Sequence, residues 1–190
     1  ISPDSDLYRE HPDWAIHIDE REGVQSRNQM VLDLSRDEVC EYVINAVSDI
    51  LANANIEYVK WDMNRQLTDM PRLGYNHEYT LGYYKIMSAI TEKFPNILFE
   101  GCSAGGGRFD AGVLAYMPQI WTSDNSDAIA RLKMQYSTSM CYPVYSISSH
   151  VTASPNHQCG RDTSLKTRAD VAYCGTFGYE LDVTKMSDEE

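Results

Sequence analysis

Three short runs rich in β-branched and aromatic residues each stop at a polar cluster: IEYVKWDMN (56–64), NILFEGCS (96–103) and QIWTSDNSD (119–127). Segments of helical period separate them. Ser35, with Glu38 three residues on, has a capping-box pattern and opens a first helix, whose apolar stripe is Val39, Val43, Val47, Ile50 and Leu51. The segment 79–94 repeats this with Tyr83, Ile86, Met87, Ile90 and Phe94, and two further helices are expected at 126–140 and 164–174. A helix-like segment also starts at Arg108, and short strands fit around Tyr145–Ser149 and Thr176–Leu181. Strands and helices thus alternate as β-α-β-α-β-α-β-α-β. Apolar strands in that alternation imply an α/β fold with a parallel sheet covered on both faces. Right-handed crossovers gather the polar clusters at the carboxyl ends of the strands, the rim where such folds carry their chemistry. The span 8–33 reads as too strand-like and polar for a helix and is expected to be an excursion on that rim. The acidic tail MSDEE reads as the solvated first turn of a helix.

Charge and cysteine usage exclude several classes of partner. The net charge of −12 argues against nucleic acid and against an anionic membrane surface. No apolar run approaches the ~20 residues of a spanning helix, and no signal peptide opens the chain. The five cysteines, Cys40, Cys102, Cys141, Cys159 and Cys174, have neither a C-x-x-C pair nor zinc-like spacing. They read as reduced thiols of a cytoplasmic protein.

LFEGCSAGGGRFD (98–110) holds a G-x-S-x-G match centred on Ser103. Asp124 and His150 follow it in the chain order of an α/β serine hydrolase. Against that reading, Ala104–Gly107 separate Ser103 from any helix, three of these residues are glycine, and no oxyanion segment of the HGGG kind lies upstream. A phosphate loop is weaker still, because no lysine follows the glycines. The favoured reading is a turn that brings backbone close to a ligand.

The carboxylates carry more. Asp62 in VKWDMNR and Asp124 in IWTSDNSD each lie just past a strand, so both belong to one rim, with Trp61 or Trp121 at hand to stack on a sugar ring. One carboxylate can attack an anomeric carbon while the other protonates the leaving oxygen, a double displacement for which the two sit about 5–5.5 Å apart. Lys60 alternates onto the face of Asp62 and sets a cation beside it. Asp127 is the rival to Asp124 and reads as the cap of the following helix. His150 and His157 lack a carboxylate at metal-ligand spacing and read as structural or pocket-lining. Arg108 is suited to hold a carboxylate beneath the glycine turn, and Met134, Tyr136 and Met140 fit helix packing.

YVKWDMNR, LFEGCSAGGGRFD, WTSDNSDAIARLKMQYSTSMCYP and HVTASPNHQCGR together closely resemble the α-galactosidases of glycoside hydrolase family 36. SPDSDLYREHPDWAIH and SRNQMVLDLSR extend the likeness along almost the whole chain. The resemblance implies a retaining enzyme on a (β/α)8 TIM-type barrel, with Asp62 as nucleophile and Asp124 as acid/base. It also implies sugar contacts from Arg27, Lys60, Trp61 and Asn64 and from the turn Cys102, Ser103, Ala104 and Gly105. Ala104 stands where Gly or Ser is usual. No metal or organic cofactor is implied. The expected substrate is a terminal α-galactoside of the raffinose or melibiose type, and the expected assembly a bacterial homo-oligomer. A raffinose-synthase-like transferase would use the same two aspartates, and a non-catalytic carbohydrate-binding fragment is a third reading. A full barrel takes ~250 residues. Residues 1–190 are therefore expected to be a partial catalytic barrel domain, about strands 4 to 8 with their helices, weakly active or inactive alone.

Overall fold

The computed structural model describes residues 1–189. Five α-helices, α1 (Asp6–Glu10), α2 (Asp37–Asn53), α3 (Tyr75–Lys93), α4 (Ala128–Ser139) and α5 (Leu165–Ala172), accompany five strands, β1 (Tyr58–Asp62), β2 (Leu98–Cys102), β3 (Gln119–Trp121), β4 (Ile147–Thr152) and β5 (Thr176–Glu180). The chain divides into two compact units. One comprises Ile1–Tyr58 and Met63–Ile97, the other Val59–Asp62 and Leu98 onward. Among the described residues no helix is long and apolar enough to cross a membrane.

The first unit is helical with an extended segment. Ser5 caps α1 by accepting from the Tyr8 N–H, and a 3-10 turn at Pro12–Trp14 follows. Helix therefore enters the start of the 8–33 span that sequence assigned to extended chain. Beyond Trp14 that expectation holds: Ile16 N–H donates to Val31 O (2.8 Å) and Asp33 N–H to Trp14 O (2.8 Å). Ser26 and Gln29 exchange reciprocal backbone bonds around Arg27 and Asn28, which both have positive φ (55° and 57°), a type I′ reversal. Ser35 does not cap α2. Its N–H and hydroxyl both bond Asp33 Oδ1 (3.0 and 2.6 Å), and Tyr75 O–H donates to the same oxygen (2.8 Å). Arg36 stands at the N-cap instead, without a side-chain cap bond, and the helix begins at Asp37. Val39, Cys40, Ser48 and Leu51 are its buried positions, whereas Ile50 is 62% exposed and stands off the expected stripe. Helix α3 buries Tyr75, Tyr79, Tyr83, Ile86, Met87 and Ile90 at helical spacing, starting a turn earlier than its sequence period indicated.

The second unit is a parallel sheet in the sequential order β1-β2-β3-β4-β5. Glu100 pairs with Gln119, Ile120 with Ile147, and Ser148 with Thr176 across the parallel ladders. Four helical connections were expected between the five strands, but the β2–β3 link holds only a 3-10 turn at Val113–Ala115. The consecutive glycines 105–107 disfavour helix there, and Phe109 is instead stacked on Tyr142 at 4.2 Å. Strand β4 starts two residues later than expected, because Val144–Ser146 forms a 3-10 turn after Pro143. Residues 186–189 form no helix, against the reading of the tail; Val183–Lys185 is a 3-10 turn, and Glu190 lies outside the described residues.

Successive side chains alternate between the two faces of a strand. On one face, Phe99, Ile120, Ile147 and Val151 are buried, and α4 and α5 close over β4. There Ser149 Oγ donates to Gln135 Oε1 (2.8 Å), and Gln135 Nε2 donates to Val171 O (3.0 Å). Two buried arginines bind carbonyls of β4: Arg131 donates to Ser148 O (2.7 Å) and Arg168 to Thr152 O (2.7 Å). A buried cation needs such partners to offset its desolvation. The other face carries Lys60, Asp62, Glu100, Cys102, Trp121, His150 and Glu180. Within this unit, then, the helices pack on one face of the sheet rather than on both.

Candidate active site at the strand ends

Asp62 is the last residue of β1, and the face it shares carries polar side chains from the other strands. Lys60 Nζ lies 3.6 Å from Glu100 Oε1 and 4.9 Å from the centre of the Trp121 ring. Glu100 is fully buried and also accepts from Gln119 Nε2 (2.7 Å). His150 stacks on Trp121 at 4.6 Å, and the Arg131 guanidinium lies 4.2 Å from the same ring centre. Burial draws Arg131 down to about 10. His150 Nδ1 stands 3.4 Å from Glu180 Oε2. That contact, with the cations of Lys60 and Arg131, holds the Glu180 carboxyl below its ordinary value. The Cys102 thiol donates to Asp62. Burial first, and that carboxylate second, push the thiol up to about 11. The result is a polar row across the strands in which Lys60 faces Glu100 and His150 faces Glu180, with the protonated thiol of Cys102 beside Asp62.

The glycine turn answers to the loop after β3. Ser103 N–H donates to Gly105 O (2.8 Å), and Gly106 N–H donates to Thr122 O (3.1 Å). Gly105 has φ +87°, and a Cβ placed on it would lie 2.6 Å from Ser123 Cα and 3.1 Å from Asp124 N. Only glycine leaves room for that backbone to pass. The Asp124 loop is held at further points. Arg131 Nη1 donates to Ser123 O (3.0 Å), Gln158 Nε2 to Asp124 O (2.9 Å), and Thr152 Oγ1 to Ser126 O (2.8 Å). Asp127 caps α4 by accepting from Ala130 N–H (3.0 Å), as its position after the strand suggested, which separates its role from that of Asp124.

The sequence-derived candidates fall into three groups. Asp62, Lys60, Cys102, Ser103, Ala104, Gly105 and Asp124 lie together in the sheet unit, at or beyond the ends of β1, β2 and β3. Arg27, at the tip of the reversal, and Asn64 belong to the other unit. Of the two indoles, Trp61 alternates away from Lys60 and Asp62. Trp121 is 2% exposed, and its ring meets His150, Arg131 and Lys60. His150 is likewise engaged by Trp121 and Glu180, and His157 is exposed on the β4–α5 loop. Arg108 donates to Trp61 O (3.2 Å) and Cys102 O (2.6 Å), tying the ends of β1 and β2. Ser103 is no nucleophile elbow: no helix follows it, and a Cβ on Gly107 would lie 3.3 Å from its hydroxyl. Glu100, Gln119, Arg131, Gln158 and Glu180 were not foreseen. Strand alternation from Lys60 and Cys102 was the one available signal, and it reaches Glu100 alone.

Residues 1–190 match the protein-family model described as Melibiase from end to end. The chain belongs to that family. Among curated relatives, the α-galactosidase AgaA of Geobacillus stearothermophilus is 54% identical over 198 aligned residues, covering 100% of this chain and 27% of AgaA. The bifunctional α-galactosidase/sucrose kinase AgaSK of Mediterraneibacter gnavus is 53% identical, with 100% and 20% covered. This melibiase-family chain thus spans about a quarter or less of the relatives it matches. The solved galactosidase domain of AgaSK superimposes with a TM-score of 0.96 at 53% identity, covering 100% of this chain and 26% of that one. The GH36 α-galactosidase AgaA superimposes at 0.95 and 54% identity, with 100% and 27% covered. Variants of AgaA with single aspartates replaced have been solved in complex with raffinose and with stachyose. Set against these domains, the five-stranded parallel sheet is an incomplete barrel sheet.

Proposed function

We propose that this chain supplies the catalytic core of a retaining α-galactosidase that releases terminal galactose from raffinose- or melibiose-type oligosaccharides. The observation that carries the proposal is that Asp62 ends β1 and Asp124 lies in the loop just beyond β3, two strands flanking β2 in one parallel sheet. Strands two places apart are separated by about 10 Å. Two aspartate side chains directed toward each other from such positions can span that gap to the ~5 Å separation of double displacement. The aspartates replaced in the two AgaA complexes stand 70 positions apart. Asp62 and Asp124 stand 62 apart, and the eight-residue difference equals the extra length of AgaA across the alignment.

In the proposed reaction a carboxylate oxygen of Asp62 forms the bond to the anomeric carbon as the glycosidic C–O bond breaks. The leaving oxygen takes its proton from Asp124. Asp124 then accepts a proton from water, which cleaves the galactosyl ester and restores Asp62. Lys60, steadied by Glu100 over Trp121, presents its ammonium to the sugar hydroxyls beside the Cys102 thiol, and the Cys102–Gly105 turn closes the same side. Arg27, Asn64 and Trp61 remain proposed contributors to sugar binding. The five strands correspond to the fourth to eighth of a complete barrel, the whole enzyme is a cytoplasmic homo-oligomer, and the reaction needs no cofactor.

The test is Asp62→Asn in the full-length enzyme that contains this chain, assayed on raffinose and on p-nitrophenyl α-galactoside. Loss of a covalent nucleophile should remove turnover by several orders of magnitude. A galactose-configured cyclophellitol aziridine should label Asp62 in the parent protein. Full activity in the variant, or labelling of Ser103 instead, would refute the proposal.

A further inference from the structure

The loop between β4 and α5 was singled out in the sequence as HVTASPNHQCGR, yet the proposed chemistry leaves it unused. It grips the Asp124 loop with one side chain. Gln158 Nε2 donates to Asp124 O at 2.9 Å, while Gln158 Oε1 accepts from Ser126 N–H at 3.0 Å. A single carboxamide therefore bridges backbone positions i and i+2, as a neighbouring strand would. It constrains ψ of Asp124 and the two peptides that follow. The bridge is itself anchored. Asn156 is 4% exposed, and its Oδ1 accepts from Gln158 N–H (3.0 Å) and Cys159 N–H (3.1 Å). Its Nδ2 donates to Ser126 Oγ (3.1 Å), so both side chains of this loop end on the Asp124–Ser126 segment.

We infer that Gln158 is a positioning residue for the acid/base Asp124, fixing the backbone from which that carboxyl reaches the glycosidic oxygen. The inference rests on the proposed role of Asp124, and it makes a claim that mere support of the fold would not. Protonation of the leaving oxygen matters where that oxygen departs as a sugar alkoxide. It matters little where it departs as p-nitrophenolate, a stable anion without the proton. A general acid contributes about 10²–10⁴-fold. A displaced one should forfeit part of that on raffinose alone.

The test compares Gln158→Met, which keeps length and volume but removes both bonds, with Asp124→Ala and the parent, all in the full-length enzyme that contains this chain. Expected for Gln158→Met is a fall of about tenfold or more in kcat/KM on raffinose, with less than about threefold on p-nitrophenyl α-galactoside. Azide, a nucleophile that needs no base, should raise kcat on the aryl substrate in both variants and form galactosyl azide. Gln158→Glu keeps the acceptor for Ser126 but loses the donor to Asp124, and it should show the same substrate bias. Equal losses on both substrates in the Gln158 variants, while Asp124→Ala shows the bias and azide rescue, would overturn the inference alone. Absence of bias and rescue in Asp124→Ala would overturn the assignment of Asp124, and this inference with it.

Discussion

Gly105→Ala is the sharpest perturbation of the contact between the glycine turn and the Asp124 loop. The added Cβ would stand 2.6 Å from Ser123 Cα and 3.1 Å from Asp124 N, where ordinary contacts begin at 3.4 Å. Both obstacles are backbone, so relief requires the Ser123–Asp124 peptide to retreat by about 1 Å. Displacements of that size at a catalytic group cost on the order of 100-fold in rate. The residue also sits at φ +87°, which costs an alanine about 1–2 kcal/mol. Gly74 separates the two effects. Its φ is +79°, but a Cβ there meets only the Glu78 carboxylate at 3.9 Å, an ordinary contact. Gly74→Ala should therefore lose similar stability in urea unfolding and keep kcat/KM on raffinose within about threefold, while Gly105→Ala loses about 100-fold. If the two variants share one kinetic phenotype, the packing of turn against loop is not what places Asp124.

Ala104 holds φ +47°, so Ala104→Gly relieves strain of about 1 kcal/mol, against the 0.5–1 kcal/mol that glycine's extra freedom usually costs. Urea midpoints should be unchanged or slightly higher, and a clear loss would contradict the strain. Glu180 has a depressed carboxyl pKa through His150, Lys60 and Arg131. Its stabilisation is present above the ordinary value of 4.5 and lost as pH falls through the lower folded value. Glu180→Gln should thus be less stable than the parent at pH 6 and converge with it in strong acid. A gap in urea midpoint that stays constant across that range would refute the pairing.

What the sequence disclosed follows the range of the interactions involved. The strand ends were visible because an apolar run stopping at WDMNR, GCSAGG or TSDNSD is a local pattern, and the cap role of Asp127 depends only on its own helix. Ser35 misled for a physical reason. A capping box is local, but Asp33, two residues back, takes both the N–H and the hydroxyl, and Tyr75 settles that carboxylate from 42 residues away. The missing helix between β2 and β3 was foreshadowed by its glycines. His150 with Glu180, Lys60 with Glu100 and Gln158 with Asp124 are 30, 40 and 34 residues apart. Alternation says which face such a residue occupies. The ladder register decides whom it meets, and no single strand encodes that.

The two aspartates proposed as nucleophile and acid/base are consequently held by different kinds of constraint. Asp62 closes a strand, and its position is set by the sheet, with Arg108 tying the ends of β1 and β2. Asp124 lies beyond its strand, and its backbone is fixed by Gly106, Arg131 and Gln158, each acting from a separate segment. A nucleophile must meet one carbon on one trajectory, which a strand end supplies. An acid/base must first face the leaving oxygen and then the incoming water. Changes in the sheet should therefore depress every substrate together, whereas changes in the Gly106, Arg131 and Gln158 contacts should shift the balance among leaving groups and acceptors.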